Sequence, residues 1–487
     1  MDTLLYHRTA KPFPAEKLPE VIADARPDFV KLNHFAWRQA WDHVCETEAF
    51  PRSPFLSEGC NVNRCWIWDS CLMGMFCRYA IGAFPGRNTL DNLYFLLENV
   101  PDQPIKLHHR DNPPLFSWIE WQYYQMDGDR ARLVEALPHL VRHFDYLETV
   151  DPATQHNDFQ PDMAWKREAG GYLWHGLPSG MDNTPRGRDD YASIYWVDAL
   201  AQQALNARWI ARIAQELGDD ALRARFEREF AEKKALLATY WDDETGAFLD
   251  KYRDGSGFCR VLTPASFWPL FAGCATPEQA ARMARLATDP QKLGGYFPFP
   301  SVARDDPDFT PDGTYWRGSI WLPVAYMSVK ALEAYGFVEL AARLADEIIA
   351  GQVRCFNSFE PHTIWECYSP TEPKPGTNKR NSYSRADFCG WSALGPISLL
   401  MENVVGIREV SALENRIVWD PGLPEGRLGV RNLRFGDNVA DLVREADGTL
   451  SVRADKPFDL VYRGKEMRVN VGLDITSPFR LHFHHES

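Results

Sequence analysis

The chain has 487 residues, 45% hydrophobic and 13% aromatic, with a formal net charge of −14. That composition supports a large core and two or three domains, and does not suit a disordered chain. The acidic balance argues against a nucleic-acid groove or an anionic membrane surface, both of which need clustered positive charge.

Met1 to Arg26 mixes prolines and charges and lacks the apolar run of a secretory signal. No stretch approaches the ~18 apolar residues of a membrane span. A soluble, cytoplasmic protein is therefore expected. From there to residue 402, 3.6-residue periodicity and capping signals predict about twelve helices. Their spans are 32–48, 69–81, 88–99, 114–126, 130–149, 189–217, 219–239, 262–272, 276–287, 315–336, 338–354 and 384–402. Thr276-Pro277-Glu278-Gln279 combines an N-cap, a first-turn proline and a capping-box glutamine. Gly218 and Asp219 read as the end of one helix and the cap of the next.

The connections alternate in length. Links from even to odd helices are tight and carry Gly82, Gly128, Gly218, Gly273 and Gly336. Links from odd to even helices are long, roughly 14 to 39 residues, well beyond ordinary helix–helix spacing. The pattern predicts a mainly α fold, an (α/α)6 toroid of six helical hairpins whose long loops share one face, and that face should hold the functional site. After residue 405 short alternating segments appear: Arg416-Ile-Val-Trp, Leu428-Gly-Val-Arg, Ala440-Asp-Leu-Val, Leu450-Ser-Val-Arg and Phe458-Asp-Leu-Val-Tyr. With hairpin signals at Asp447-Gly448 and Arg463-Gly464 they predict a small antiparallel β domain. The expected division is an N-terminal extension (1–30), a helical barrel (31–404) and a β domain (405–487).

Of the ten cysteines, Cys45, Cys71 and Cys77 fall in helical patterns, where a thiol behaves as a small hydrophobe. Cys60-x4-Cys65 has no second pair to complete a zinc site. His482, His484 and His485 have tail spacing, and no EF-hand pattern is present. No cofactor or metal is implied, and the oligomeric state is open. Tryptophans crowd the Gly/Pro-rich loops (Trp66, Trp68, Trp165, Trp174, Trp316 and Trp365), where flat rings suit the apolar faces of sugars.

Glycoside hydrolysis needs two carboxyl groups flanking the scissile bond, and three loop acids stand out. Asp182 lies in the longest loop, Leu177 to Arg186, with Gly180 before it and Pro185 after it to fix the backbone. Glu366 lies in the last long loop between Trp365 and Tyr368, which are placed to shield it and shift its pKa. Asp69 stands where the second helix begins, and capping that helix is its competing role.

Trp68-Asp69-Ser70, Pro113-Pro114, Ser179 to Arg186, Tyr315 to Trp321 and Trp365 to Tyr368 occur in that order. Over residues 30–402 the chain resembles glycoside hydrolase family sixty-three, nearest its mannosylglycerate and glucosylglycerate hydrolase branch, with trehalases more distant. The resemblance implies an (α/α)6 barrel and an inverting mechanism, with Asp182 as general acid and Glu366 as general base. Such a pair stands roughly 6.5–9.5 Å apart to admit a water. By the same resemblance Asp69 holds sugar hydroxyls, Trp68 and Trp391 line the glycone pocket, and Trp316 and Arg317 sit nearby, Arg317 paired with a carboxylate to orient it. Asn112, Trp118, Asn183, Arg186 and Trp321 complete the substrate-binding candidates. The chain departs from its relatives at Pro178, where they commonly carry glutamate, and at Asn112, where they carry glutamine.

Lys379 and Arg380 mark a basic segment between Lys374 and Arg385, read as a solvated loop tip or as a site for an anionic aglycone such as glycerate. The expected partner is a small carbohydrate. A sugar epimerase or isomerase on a similar toroid is the competing enzyme class, and such enzymes use paired histidines. His108, His109, His175 and His362 form no evident helical pair, although His362 is close to Glu366. A non-catalytic carbohydrate-binding protein and a phosphorolytic enzyme also remain open.

Overall fold

A computed structural model describes residues 3–59, 62–99, 103–152 and 164–471. Cys60 and the three C-terminal histidines named above lie outside the described residues. Twelve helices are numbered here: α1 Pro27–Asp42, α2 Ile67–Cys77, α3 Gly86–Asn99, α4 Phe116–Asp127, α5 Arg130–Thr149, α6 Val197–Leu217, α7 Asp220–Ala238, α8 Trp268–Phe271, α9 Pro277–Thr288, α10 Leu322–Ala334, α11 Val338–Ser358 and α12 Gly395–Val405.

Every expected helix has a counterpart, and the boundary differences have local causes. Helix α1 starts earlier, on Pro27, and stops at Asp42 because Val44–Glu46 pairs as a strand with His7–Arg8 and Phe55–Leu56. Cys45 is therefore in a strand. Residues before Val197 leave the predicted sixth helix, since Ile194–Tyr195 pairs with Asp250–Tyr252. Helix α8 is a single turn carrying Pro269, and the residues before it, Pro264–Phe267, form a separate 3-10 turn. Helix α10 starts at Leu322 rather than 315, because Thr314 and Tyr315 adopt positive φ and the Tyr315 N–H donates to Thr377 O at 2.6 Å. Helix α12 is wound as a π-helix and starts at Gly395, leaving 384–391 as loop.

The capping box at Thr276 forms, with Gln279 Oε1 accepting the Thr276 N–H at 2.8 Å. Gly128 and Gly218 end α4 and α6 in the left-handed conformation, at φ 71° and 80°. Helix α2 packs on α4, α4 on α6, α6 on α8 and α8 on α10, while α10 and α2 both meet α12. All residues of α2 and α12 are buried, whereas α7 buries only Phe226, Lys233 and Leu237. The even-numbered helices thus form the inner ring of a helical toroid. The loops carrying the acids lead into the N-terminal ends of α2, α6 and α12.

Eight strands form the β part: β1 Glu20–Ala23, β2 Ile407–Ser411, β3 Arg416–Trp419, β4 Leu428–Phe435, β5 Asn438–Arg444, β6 Leu450–Ala454, β7 Phe458–Tyr462 and β8 Lys465–Val469. They make two sheets, ordered β2-β3-β7-β8 and β6-β5-β4-β1. Two expectations need correcting. The pair β3–β7 is parallel, because the chain crosses to the other sheet for β4 to β6 before returning. The N-terminal segment is not merely an extension, since β1 completes the second sheet against β4. Arg463 and Gly464, both at positive φ, turn β7 into β8 as expected of a two-residue hairpin. The β part adjoins the C-terminal end of α4, where Ala412 N and Gly436 N donate to Gln125 O and Met126 O at 2.7 Å each. No helix among the described residues is long and apolar enough to cross a membrane.

Candidate active site

Glu366 lies on the loop between α11 and α12. Its backbone is held on both sides: its N–H donates to Arg385 O at 2.9 Å, and its carbonyl accepts from Trp391 Nε1 at 2.9 Å. The carboxylate, 2% exposed, accepts from Tyr315 Oη at 3.0 Å, from Arg385 Nη2 at 2.6 Å and from the Arg385 N–H at 3.2 Å. Burial pushes its pKa up to about 7 against those donors, and the charges of Asp182 and Glu58 push the same way. The Tyr368 hydroxyl accepts from Gln352 and from the Trp365 N–H, so Tyr315 and Arg385 do the work at the carboxyl group.

Asp182 rides on the loop that enters α6. Ser179 Oγ donates to Gly176 O at 2.7 Å and accepts from the Met181 N–H, closing the turn before the acid. Gly180, at φ 79°, lies on the Trp68 ring, where an added Cβ would stand 3.2 Å from the indole. Asn183 clamps the loop to its neighbour, accepting from the Trp316 N–H and donating to Thr314 O, both at 2.9 Å. Asp182 Oδ2 accepts from Lys379 Nζ at 2.7 Å. Burial raises the Asp182 pKa, while Lys379 and then His175 oppose the rise.

Asp69 is in the first turn of α2, but it is buried inside the helix start and Trp66 is the capping position. Burial holds its carboxyl well above the ordinary range, reinforced by the charges of Glu58, Glu366 and Asp182. Asp69 is therefore within electrostatic reach of the other three acids. Four tryptophans pack in an unbroken circuit beside these acids, with Trp316 and Trp321 fully buried and Trp391 Nε1 bonded to the Glu366 carbonyl. Trp68 meets Trp391 (centroids 6.0 Å apart) and Trp316 (6.3 Å), Trp316 stacks on Trp321 at 4.2 Å, and Trp321 meets Trp391 at 5.6 Å.

Other candidates serve different ends. Arg186 is 1% exposed and its guanidinium is taken by Asp198 and Asp250, at 2.5–2.7 Å, over the Trp196 ring. Arg317 does pair with carboxylates, but with Asp189 and Asp308 rather than with either central acid. Asn112 spends its amide on the backbone, accepting from the Trp68 N–H at 2.8 Å and donating to Pro178 O at 3.0 Å. Trp118 contacts Phe271 and lines a separate cavity with Arg78, Tyr326 and Glu402. Trp165 and Trp174 pack on each other in the core. His362 turns to Phe356 O and Glu360. His108 and His109 adjoin, with ring centroids 4.0 Å apart. Glu58 and Arg385 went unnoticed in the sequence. Arg385 ends the basic segment already singled out, whereas Glu58 carries no motif signal.

A family model described as the mannosylglycerate hydrolase MGH1-like glycoside hydrolase domain matches residues 96–384. A mannosylglycerate hydrolase of Thermus thermophilus is 38% identical over 116 residues, which is 23% of this chain and 27% of that protein. A mannosyl-oligosaccharide glucosidase of Saccharomyces cerevisiae is 27% identical over 254 residues, 47% of this chain and only 29% of that longer protein. The solved structure of a GH63 mannosylglycerate hydrolase from Thermus thermophilus, in complex with Tris, superposes with a TM-score of 0.58 at 19% identity, covering 75% of this chain and 99% of that one.

Proposed function

The chain belongs to the mannosylglycerate hydrolase MGH1-like glycoside hydrolases, and on that premise we propose that it hydrolyses a small α-glucoside or α-mannoside with inversion. Asp182 is the general acid and Glu366 the general base. The observation that carries this reading is the pairing of the buried Glu366 carboxyl with the partly buried Asp182 carboxyl from a different loop, within electrostatic reach of each other and beside the tryptophan cluster. Glu366, lifted to about 7, is a far stronger base than a free carboxylate and suits the activation of water. Asp182, raised by burial, is disposed to hold the proton the leaving oxygen needs once Lys379 lets go.

Trp68, Asp69 and Trp391 hold the glycone. Lys379 stands where the aglycone leaves and suits an anionic one such as glycerate, in keeping with the name of the Thermus relative. The helical body (31–404) is an (α/α)6 barrel of six hairpins, followed by the β domain (405–487), to which the N-terminal extension (1–30) lends strand β1, and the enzyme works in the cytoplasm.

Proton NMR of the enzyme with glucosylglycerate, mannosylglycerate and trehalose tests the reading. The β-anomer of the released sugar should appear first, and Asp182→Asn and Glu366→Gln should each lose at least about a hundredfold in kcat. First appearance of the α-anomer, or normal turnover in either variant, overturns it.

A further inference from the structure

Glu58 is the one member of the acid cluster without a task in the proposed chemistry. It sits on the loop between α1 and α2, 3% exposed, and its Oε1 is buried without a hydrogen-bond partner. Its carbonyl accepts from the Gly390 N–H at 3.3 Å, next to Trp391. A Cβ added to Gly390 would stand 3.2 Å from the Glu58 Cβ, so the two segments touch closely. Asp69 and Glu366 both feel its charge, and the charges of Arg385 and His43 offset it. An acceptor buried and left unpaired is costly, and native structures keep such atoms for a reason. This one lies against Gly390, the residue before Trp391.

Resting on the reading of Trp68, Asp69 and Trp391 as the glycone site, we propose that Glu58 is a further glycone-binding residue: its Oε1 accepts one hydroxyl of the sugar, beside the hydroxyl held by Asp69, and so selects the epimer. Burial lifts the Glu58 carboxyl to about 7 while Asp69 is held high by burial and by Glu58 itself. The charge of Glu58 disfavours ionisation of Asp69, so the pair offers both a donor and an acceptor. A vicinal diol, in which each hydroxyl also accepts and donates, is its complement. A polar site built this way rejects a sugar lacking the hydroxyl far more sharply than an apolar wall does, because the orphaned oxygen is left unpaired again.

Ligand-observed NMR titration of the full chain with glucose, mannose and their monodeoxy derivatives tests the proposal without relying on turnover. Glu58→Ala should weaken the preferred hexose about tenfold or more. One deoxy derivative should bind the unsubstituted protein as weakly as the parent hexose binds Glu58→Ala, and lose nothing further in that variant. Glu58→Gln, which keeps the packing against Gly390, should narrow the glucose–mannose preference while the fold holds by circular dichroism. Equal hexose affinity with and without Glu58, or the same loss for every deoxy sugar in both proteins, overturns the proposal and leaves the glycosidase reading standing. Failure of any hexose to bind the unsubstituted protein removes the glycone pocket, and both readings fall together.

Discussion

At the level of single residues, the two central acids differ in what opposes their burial. Glu366 is raised to about 7 despite three donors, so kcat/KM should fall as pH drops below about 7 and the base becomes protonated. The same shift has a stability consequence. A carboxyl whose folded pKa lies above its ordinary 4.5 stabilises the fold below pH 4.5, and that contribution is lost as pH rises through about 7. Glu366→Gln should therefore stabilise the fold above pH 7, by on the order of 3 kcal/mol at most, raising the melting temperature there, with the gain vanishing near pH 4. Differential scanning calorimetry across that range checks it, and a pH-independent difference would mean the shift is absent. Asp182 differs because Lys379 opposes its rise. Lys379→Met should move the alkaline limb of kcat/KM upward, since the acid then stays protonated to higher pH. For a substrate with an anionic aglycone the same variant should raise KM about tenfold. An unmoved limb in the pH–rate profile would show that Lys379 leaves the acid before substrate arrives.

At the level of elements, the substitution of interest is at Arg186. The guanidinium ties the Asp182 loop to α6 through Asp198 and to the strand at Asp250. Removing one partner of a buried ion pair leaves the others uncompensated, typically at a cost of 3–5 kcal/mol. Arg186→Leu should fail to accumulate as folded protein. Arg186→Lys, which keeps the charge without the fork, should melt earlier while KM changes little. A large KM change without a change in melting would return Arg186 to the substrate. This residue also marks how far the sequence was legible. Helices were readable from periodicity and caps, as at Thr276 and Gly218, because those signals are local. Asp182, Glu366 and Asp69 were readable as loop acids within ordered motifs. Motifs do not separate a side chain that meets a sugar from one that holds the loop, so Arg186, Asn112 and Asn183 were grouped with Trp68. The start of α10 was misread because the turn at Tyr315 is imposed by Thr377, far along the chain. Glu58 was invisible for a similar reason, since its neighbours are Gly390 and Arg385.

Across the whole molecule, the β part and the helical part are joined too intimately for one to be a detachable module. Strand β1 comes from the N-terminus and pairs with β4, and Asn432 Nδ2 donates to Glu16 O and Leu18 O at 3.0 and 2.8 Å. Arg26, just before α1, pairs with Asp346 of α11 at 2.8 Å. Trp419 on β3 is fully buried, and its Nε1 donates to Val405 O at 2.9 Å, at the end of the π-helix that closes the inner ring. Cutting the chain after Gly406 would expose that end of α12, orphan the Gln125 and Met126 carbonyls at the foot of α4, and leave β1 with no strand to pair. The deleted strands cover apolar surface at the end of α12, where Val405 is fully buried, and nothing else would shield it from water. The truncated chain should therefore be insoluble or melted at 25 °C, even though every acid of the candidate site remains in it. Deleting residues 1–26 removes β1 and Arg26 but spares the Trp419 contact, so it should lower the melting temperature yet leave a folded, active enzyme. Soluble yield, circular dichroism and thermal melting of the two truncations check this together. A cooperative, active fragment ending at Gly406 would show that the toroid carries its own stability and that the β part was added to a finished fold.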